Sequence, residues 1–131
     1  MSSPASAQAK QHVNSGLNYL DQKQYVLALQ EFNNAIQLDP NDAQAFYNRG
    51  LAHLEMRSYA QAENDFNVAS RLEPGYAAPL AALAELHLRV ALETLVRAFY
   101  LCRDIPTIHP QYLVNEISRR IDALKQLLPS K

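Results

Sequence analysis

The sequence predicts an all-α fold of stacked helix pairs, and three observations carry that prediction. Ala, Leu, Gln and Glu, all good helix formers, are abundant. Glycine occurs only three times and proline seven times in 131 residues, which leaves strands and tight hairpins little support. Finally, "ALQEFNNAIQLDP", ending at Pro40, returns as "AQAENDFNVASRLEP", ending at Pro74. Ala28, Phe32, Ala35 and Pro40 are matched at one constant spacing by Ala62, Phe66, Ala69 and Pro74.

The elements follow in order. A first helix is expected from about Ser6 to Gln22, with Val13, Leu17, Tyr19 and Leu20 at helical spacing. "DQKQ" turns the chain into a second, Tyr25 to Leu38, whose Leu29, Phe32, Ala35 and Ile36 share a face. "DPND" ends it, because Pro40 cannot continue a helix and Asp42 can accept from the next helix's first amides. The third helix runs from about Ala43 to Met56, "RSY" turns, and the fourth runs from Tyr59 to Leu72 before "EPGY" repeats the terminator. The unit is a helix–turn–helix that recurs from Pro40 to Pro74, present twice.

A helix pair repeating every ~34 residues, with small residues at fixed places and a terminal proline, resembles the tetratricopeptide repeat (TPR) family. Counting from Ala9, the first repeat offers His12, Gly16, Tyr19, Ala28, Phe32, Ala35 and Pro40 to the family pattern. The second offers Phe46, Gly50, His53, Ala62, Phe66, Ala69 and Pro74. The resemblance implies a right-handed helix–turn–helix solenoid. It also implies close helix approach at Gly16 and Gly50, opposite Ala28 and Ala62, with Phe32 and Phe66 filling space towards the next repeat. The chain is then parsed as a flexible start (1–8), repeat one (9–42), repeat two (43–76), a divergent third element (77–109) and a C-terminal amphipathic capping helix (110–131).

The third element breaks the pattern. Leu80, Ala84 and His87 fall at the expected places, but where the earlier turns read "DQKQY" and "EMRSY" it reads "RVALE", all good helix. Either a helix pair forms there, or one helix runs from about Ala78 to Asp104, and the second is favoured. That helix would be apolar nearly all round and must be covered on more than one side. The last helix, Gln111 to Leu128, carries Leu113, Ile117, Ile121, Leu124 and Leu128 on one stripe and suits that role, although a second copy of the chain would also do.

Little in the sequence suggests chemistry. His12, His53, His87 and His109 show no helical metal-ligand spacing, and Cys102 is alone. There is no phosphate loop and no recognisable nucleophile and base. The carboxylates of "ENDF" and "EIS" read as solvated helix-surface charge. A non-enzyme without cofactor or metal is expected. A net charge of -1 gives no basic footprint for nucleic acid. No stretch is long and apolar enough for a membrane span or a secretory signal, so a cytoplasmic location is the default expectation.

By resemblance, the first helices of the pairs line a concave groove. The groove positions carried onto this chain are Lys10, Val13, Asn14, Leu17, Leu20 and Asp21, then Gln44, Tyr47, Asn48, Leu51, Leu54 and Glu55. Ala78, Ala81, Ala82, Glu85, Leu88 and Arg89 would follow from the third element. One subfamily grips acidic chaperone tails with two lysines, two asparagines and an arginine. Here only Asn48 matches, with Val13, Leu17, Ala78 and Ala82 at the other places, so binding of chaperone tails is not expected. An apolar groove floor with polar spots predicts instead a protein or peptide partner presenting an apolar or helical segment. The floor could equally be filled by the chain's own tail or by a second subunit. The expected function is a protein–protein interaction adaptor. The alternative is an assembly subunit that forms a homodimer through Leu88, Leu92, Leu95 and Phe99 of the long helix.

Overall fold

The computed structural model describes residues 3–104 and 111–129. Six helices are present among them, with no strand: α1 (Pro4–Asp21), α2 (Tyr25–Leu38), α3 (Ala43–Glu55), α4 (Tyr59–Leu72), α5 (Ala78–Asp104) and α6 (Gln111–Leu127). Helix α1 starts earlier than the expected Ser6. The Ser3 side chain accepts from the Ser6 amide at 3.1 Å, and Pro4 sits in the first turn, where its missing N–H costs nothing. Residues 4–8, expected to be part of a flexible lead, therefore belong to the helix. "IPTIHP", with His109, lies outside the described residues.

Both intra-pair turns are closed in the same way. The Gln24 amide donates to the Tyr19 carbonyl and the Lys23 amide to Leu20; one repeat later, Ser58 donates to His53 and Arg57 to Leu54. These are Schellman closures, which need a left-handed residue after the helix. That residue is Lys23, φ 61°, in the first turn and Arg57, φ 62°, in the second. Between the pairs, Asp42 caps α3 by accepting from the Gln44 amide at 3.0 Å, as its place after Pro40 predicts.

The chain divides into two compact units, Met1–Leu83 and Ala84–Lys131. In the first, α1 packs on α2, α2 on α3 and α3 on α4, and α1 also meets α3, so the first helices of the two pairs are neighbours. Ala9, Val13, Ala28, Phe32, Ala35, Ala45 and Ala52 form the core there, with Leu17, Tyr19, Leu20 and Leu29 packed against it. Gly16 and Gly50 meet something other than the expected alanines. A Cβ on Gly16 would lie 2.4 Å from the Phe32 ring, and one on Gly50 would lie 2.6 Å from the Phe66 ring. Each phenylalanine thus lies across its own pair's glycine, and the missing Cβ makes room for the ring.

In the second unit α5 continues unbroken to Asp104. Its Leu92, Leu95, Val96 and Phe99 pack with Cys102 against Val114, Ile117 and Ile121 of α6. The cover that this apolar helix requires is supplied on that side by the chain's own last helix. Three of the four residues named for self-association, Leu92, Leu95 and Phe99, are engaged in this contact, and Leu88 is half-buried.

Candidate functional site

The α1 and α3 faces carry the residues expected to line a groove, and the structure sorts them. Val13 and Leu54 are buried in the packed interior, because the helix face that meets the partner helix is wider than the spacing suggests. Lys10, Asn14, Asp21 and Gln44 are exposed or nearly so, while Leu17, Leu20, Tyr47, Leu51 and Glu55 are half-buried. The Tyr47 ring is held from two sides, tilted on Phe66 at 5.9 Å and edge-on to Tyr76 at 5.5 Å between centroids. Such a ring is a fixed surface rather than a swinging side chain. Burial, and then the neighbouring Tyr47, Glu73 and Asp42, raise the Tyr76 hydroxyl above its ordinary pKa, so it stays a neutral donor.

Asn48 stands apart. It is 8 % exposed, yet its side chain finds no hydrogen-bond partner among the described residues. No enclosed side-chain N or O atom lacks a partner there, so the Asn48 amide must still reach the surface. An unmet amide costs about 1–3 kcal/mol when dry, and the opening to the surface leaves this one within reach of water.

Glu85 and Arg89, also expected in the groove, lie on α5 in the second unit, where they form an ion pair with each other one helical turn apart. Ala82 is buried, Ala78 half-buried and Ala81 exposed.

A polar cluster is not apparent from the sequence. Asp65, which "ENDF" presents as surface charge, is 1 % exposed. Arg49 donates to both its oxygens, from Nε at 2.9 Å and from Nη2 at 2.8 Å, while its Nη1 donates to Asn33 of α2 at 3.0 Å. The guanidinium also lies 5.4 Å from the Phe46 ring centroid. One side chain on α3 thereby ties α4 to it and α2 to both. At the same register of repeat one, Glu31 is bonded by His12 Nδ1 at 2.6 Å. Both repeats carry an acid at this register, and that recurrence was the available signal.

His53 Nε2 lies 3.9 Å from Asp65, whose oxygens Arg49 already holds. Burial lowers the imidazole pKa from its ordinary 6.5; Asp65 pulls it up and Arg49 pushes it down. The folded chain therefore prefers neutral His53, and the unfolded chain binds the proton more readily. Its contribution to stability is complete above about pH 6.5 and is lost as the pH falls through the lower folded value. Urea midpoints measured from pH 7.5 to pH 5 should fall for wild type and flatten in His53→Gln.

Profiles described as "TPR repeat" and "Tetratricopeptide repeat" match residues 16–56 and 43–76. Those residues are tetratricopeptide repeats. The first TPR domain of Spaghetti (RPAP3), solved with the HSP90 peptide SRMEEVD, superposes with a TM-score of 0.63 at 24% identity, covering 95% of this chain and 98% of that one. The TPR2B domain of yeast Sti1, in a complex with pHsp70, does so at 0.59 and 21%, covering 93% and 99%. No curated protein matches the chain. These two domains correct the exclusion of chaperone tails, because chaperone segments sit on domains of this same fold. The exclusion counted only the cationic and amide side chains of one clamp, whereas a groove also holds a peptide through apolar contacts. Among the described residues no helix is long and apolar enough to cross a membrane, and no group of three His, Cys, Asp or Glu is placed to hold a metal.

Proposed function

We propose that this TPR chain is a protein-interaction adaptor that takes a partner segment across the exposed face of α1 and α3. The observation that carries the reading is the Asn48 amide, nine-tenths buried, without an internal partner and open to the surface. A partner backbone would complete it, while the half-buried Leu17, Leu20, Leu51 and the braced Tyr47 ring would receive apolar side chains. The chaperone segments bound by the two similar domains are the first candidates. SRMEEVD places Met and Val beside its carboxylates, which suits an apolar floor with Lys10 exposed on α1.

Titration calorimetry against SRMEEVD, together with affinity capture from lysate, tests this with wild type and a Tyr47→Ala/Leu51→Glu variant shown by circular dichroism to be folded. Asn48→Ala is the finer probe. We expect micromolar or tighter partner binding that falls at least tenfold in both variants. Identical binding or capture by wild type and variants would remove this face as the working surface. A second reading, a self-associating subunit, draws on Tyr100 and Leu101 of α5, both exposed in the second unit. A monomeric sedimentation mass across micromolar concentrations would end it.

A further inference from the structure

A second surface lies at the α1–α2 turn. Lys23, Gln24, Tyr25, Val26, Leu27 and Met56 line an open cleft of about 330 Å³. Its apolar members face water: Val26 is 60 %, Leu27 41 % and Met56 39 % exposed. The repeat supplies an internal control. In repeat two the places of Val26 and Leu27 are taken by Ala60 and Gln61. The same turn is built there with a small and a polar side chain at these two places, so the fold does not demand Val26 and Leu27 at the cleft. Val26 is also β-branched in the first turn of α2, a choice that helix propensity does not favour.

The charge at the cleft has one sign. Lys23 is its only charged lining residue, and the lysine side chain makes no hydrogen bond or ion pair among the described residues. Its backbone is held left-handed by the closure of α1, which fixes where the side chain leaves the turn. Helix α2 begins at the cleft with no side-chain cap on its first amides, and those amides add positive partial charge. An aliphatic cleft edged by an unpaired ammonium and a positive helix end complements a segment in which leucine-like side chains adjoin carboxylates.

We infer that this turn-end cleft docks an acidic, leucine-bearing peptide segment of a partner protein, independently of the α1/α3 face. The apolar side chain enters between Val26, Leu27 and Met56, and the carboxylate meets Lys23. An adaptor with two such surfaces can hold two segments at once.

The test titrates blocked acetyl-EELLDEL-amide into the isotopically labelled full chain, followed by amide and methyl NMR. Shifts should centre on Tyr25, Val26, Leu27 and the Met56 methyl, and should weaken as salt is raised. Val26→Ala/Leu27→Gln, which installs the repeat-two residues, should raise Kd at least tenfold, and Lys23→Gln at least threefold. Tyr47→Ala/Leu51→Glu should leave this binding unchanged, so failure of the α1/α3 face and failure of the cleft are distinguishable. The inference is overturned if no shifts appear at millimolar peptide, or if they fall only on Asn14, Tyr47 and Leu51. Equal binding of acetyl-KKLLKKL-amide would overturn it too. So would occupation of the cleft only by anionic lipid vesicles, or by a second copy of the chain in the absence of peptide.

Discussion

Arg49→Ala should destabilise the repeat unit by about 3 kcal/mol, the lower end of what breaking a buried ion pair costs. Truncation leaves Asp65, 1 % exposed, as a buried carboxylate without its two charge-assisted hydrogen bonds, and releases Asn33 of the preceding helix. Arg49 itself retains some contact with solvent, so water can partly replace it, which is why the lower end applies. In a unit of this size the loss corresponds to a fall in Tm of roughly 12–24 °C. Replacing both partners, as Arg49→Met/Asp65→Leu, should cost much less than Arg49→Ala alone, because no charge is then left stranded. Urea unfolding of the three proteins checks this. A loss below about 1 kcal/mol for Arg49→Ala, the scale of an exposed pair, would mean that water, not Arg49, satisfies Asp65.

That cluster also marks where the sequence stops being legible. Helix positions were readable because proline, capping Asp42 and the turn spacing act locally; α2 and α4 match their expected bounds, and α5 is the single long helix that "RVALE" favoured. The repeat was readable because its signal is sequence against sequence. The depth of a side chain is not local. Asp65 reads as surface charge until Arg49, on the preceding helix, is placed beside it. Val13 and Leu54 read as groove floor because family register says which way a position points but not how tightly the neighbouring helix closes over it. Asn48 was singled out from the register, but its unmet amide could be recognised only once the packing around it was known. The Val26–Leu27–Met56 cleft joins residues from two repeats, and no single-helix pattern contains it.

Gly16→Ala should destabilise despite the better helix propensity of alanine. The propensity gain is about 1 kcal/mol, whereas the new methyl would meet three Phe32 ring carbons, the nearest at 2.4 Å. The ring has nowhere to go, being fully buried among Ala28, Ala35 and Val13, and forced overpacking costs about 1–3 kcal/mol. Phe32→Ala should cost about 3–5 kcal/mol by leaving the opposite defect, a cavity where the ring lay. The two errors should offset one another. In Gly16→Ala/Phe32→Leu the methyl takes part of the space the ring vacates, so the double variant should be more stable than the sum of its single changes by about 1 kcal/mol or more. Strict additivity, or a stabilising Gly16→Ala, would show that the ring can yield and that the close approach does not fix the pair. Gly50→Ala should be the harsher of the two glycine changes although its ring contact is slightly longer, 2.6 Å to Phe66. Its new methyl would also press on the Asp65 Cβ at 3.2 Å, and a shift of Asp65 pulls at the carboxylate that Arg49 holds. A Gly50→Ala penalty that shrinks in the Arg49→Met/Asp65→Leu background would show that the glycine contact and the buried ion pair act as one locking element between α3 and α4.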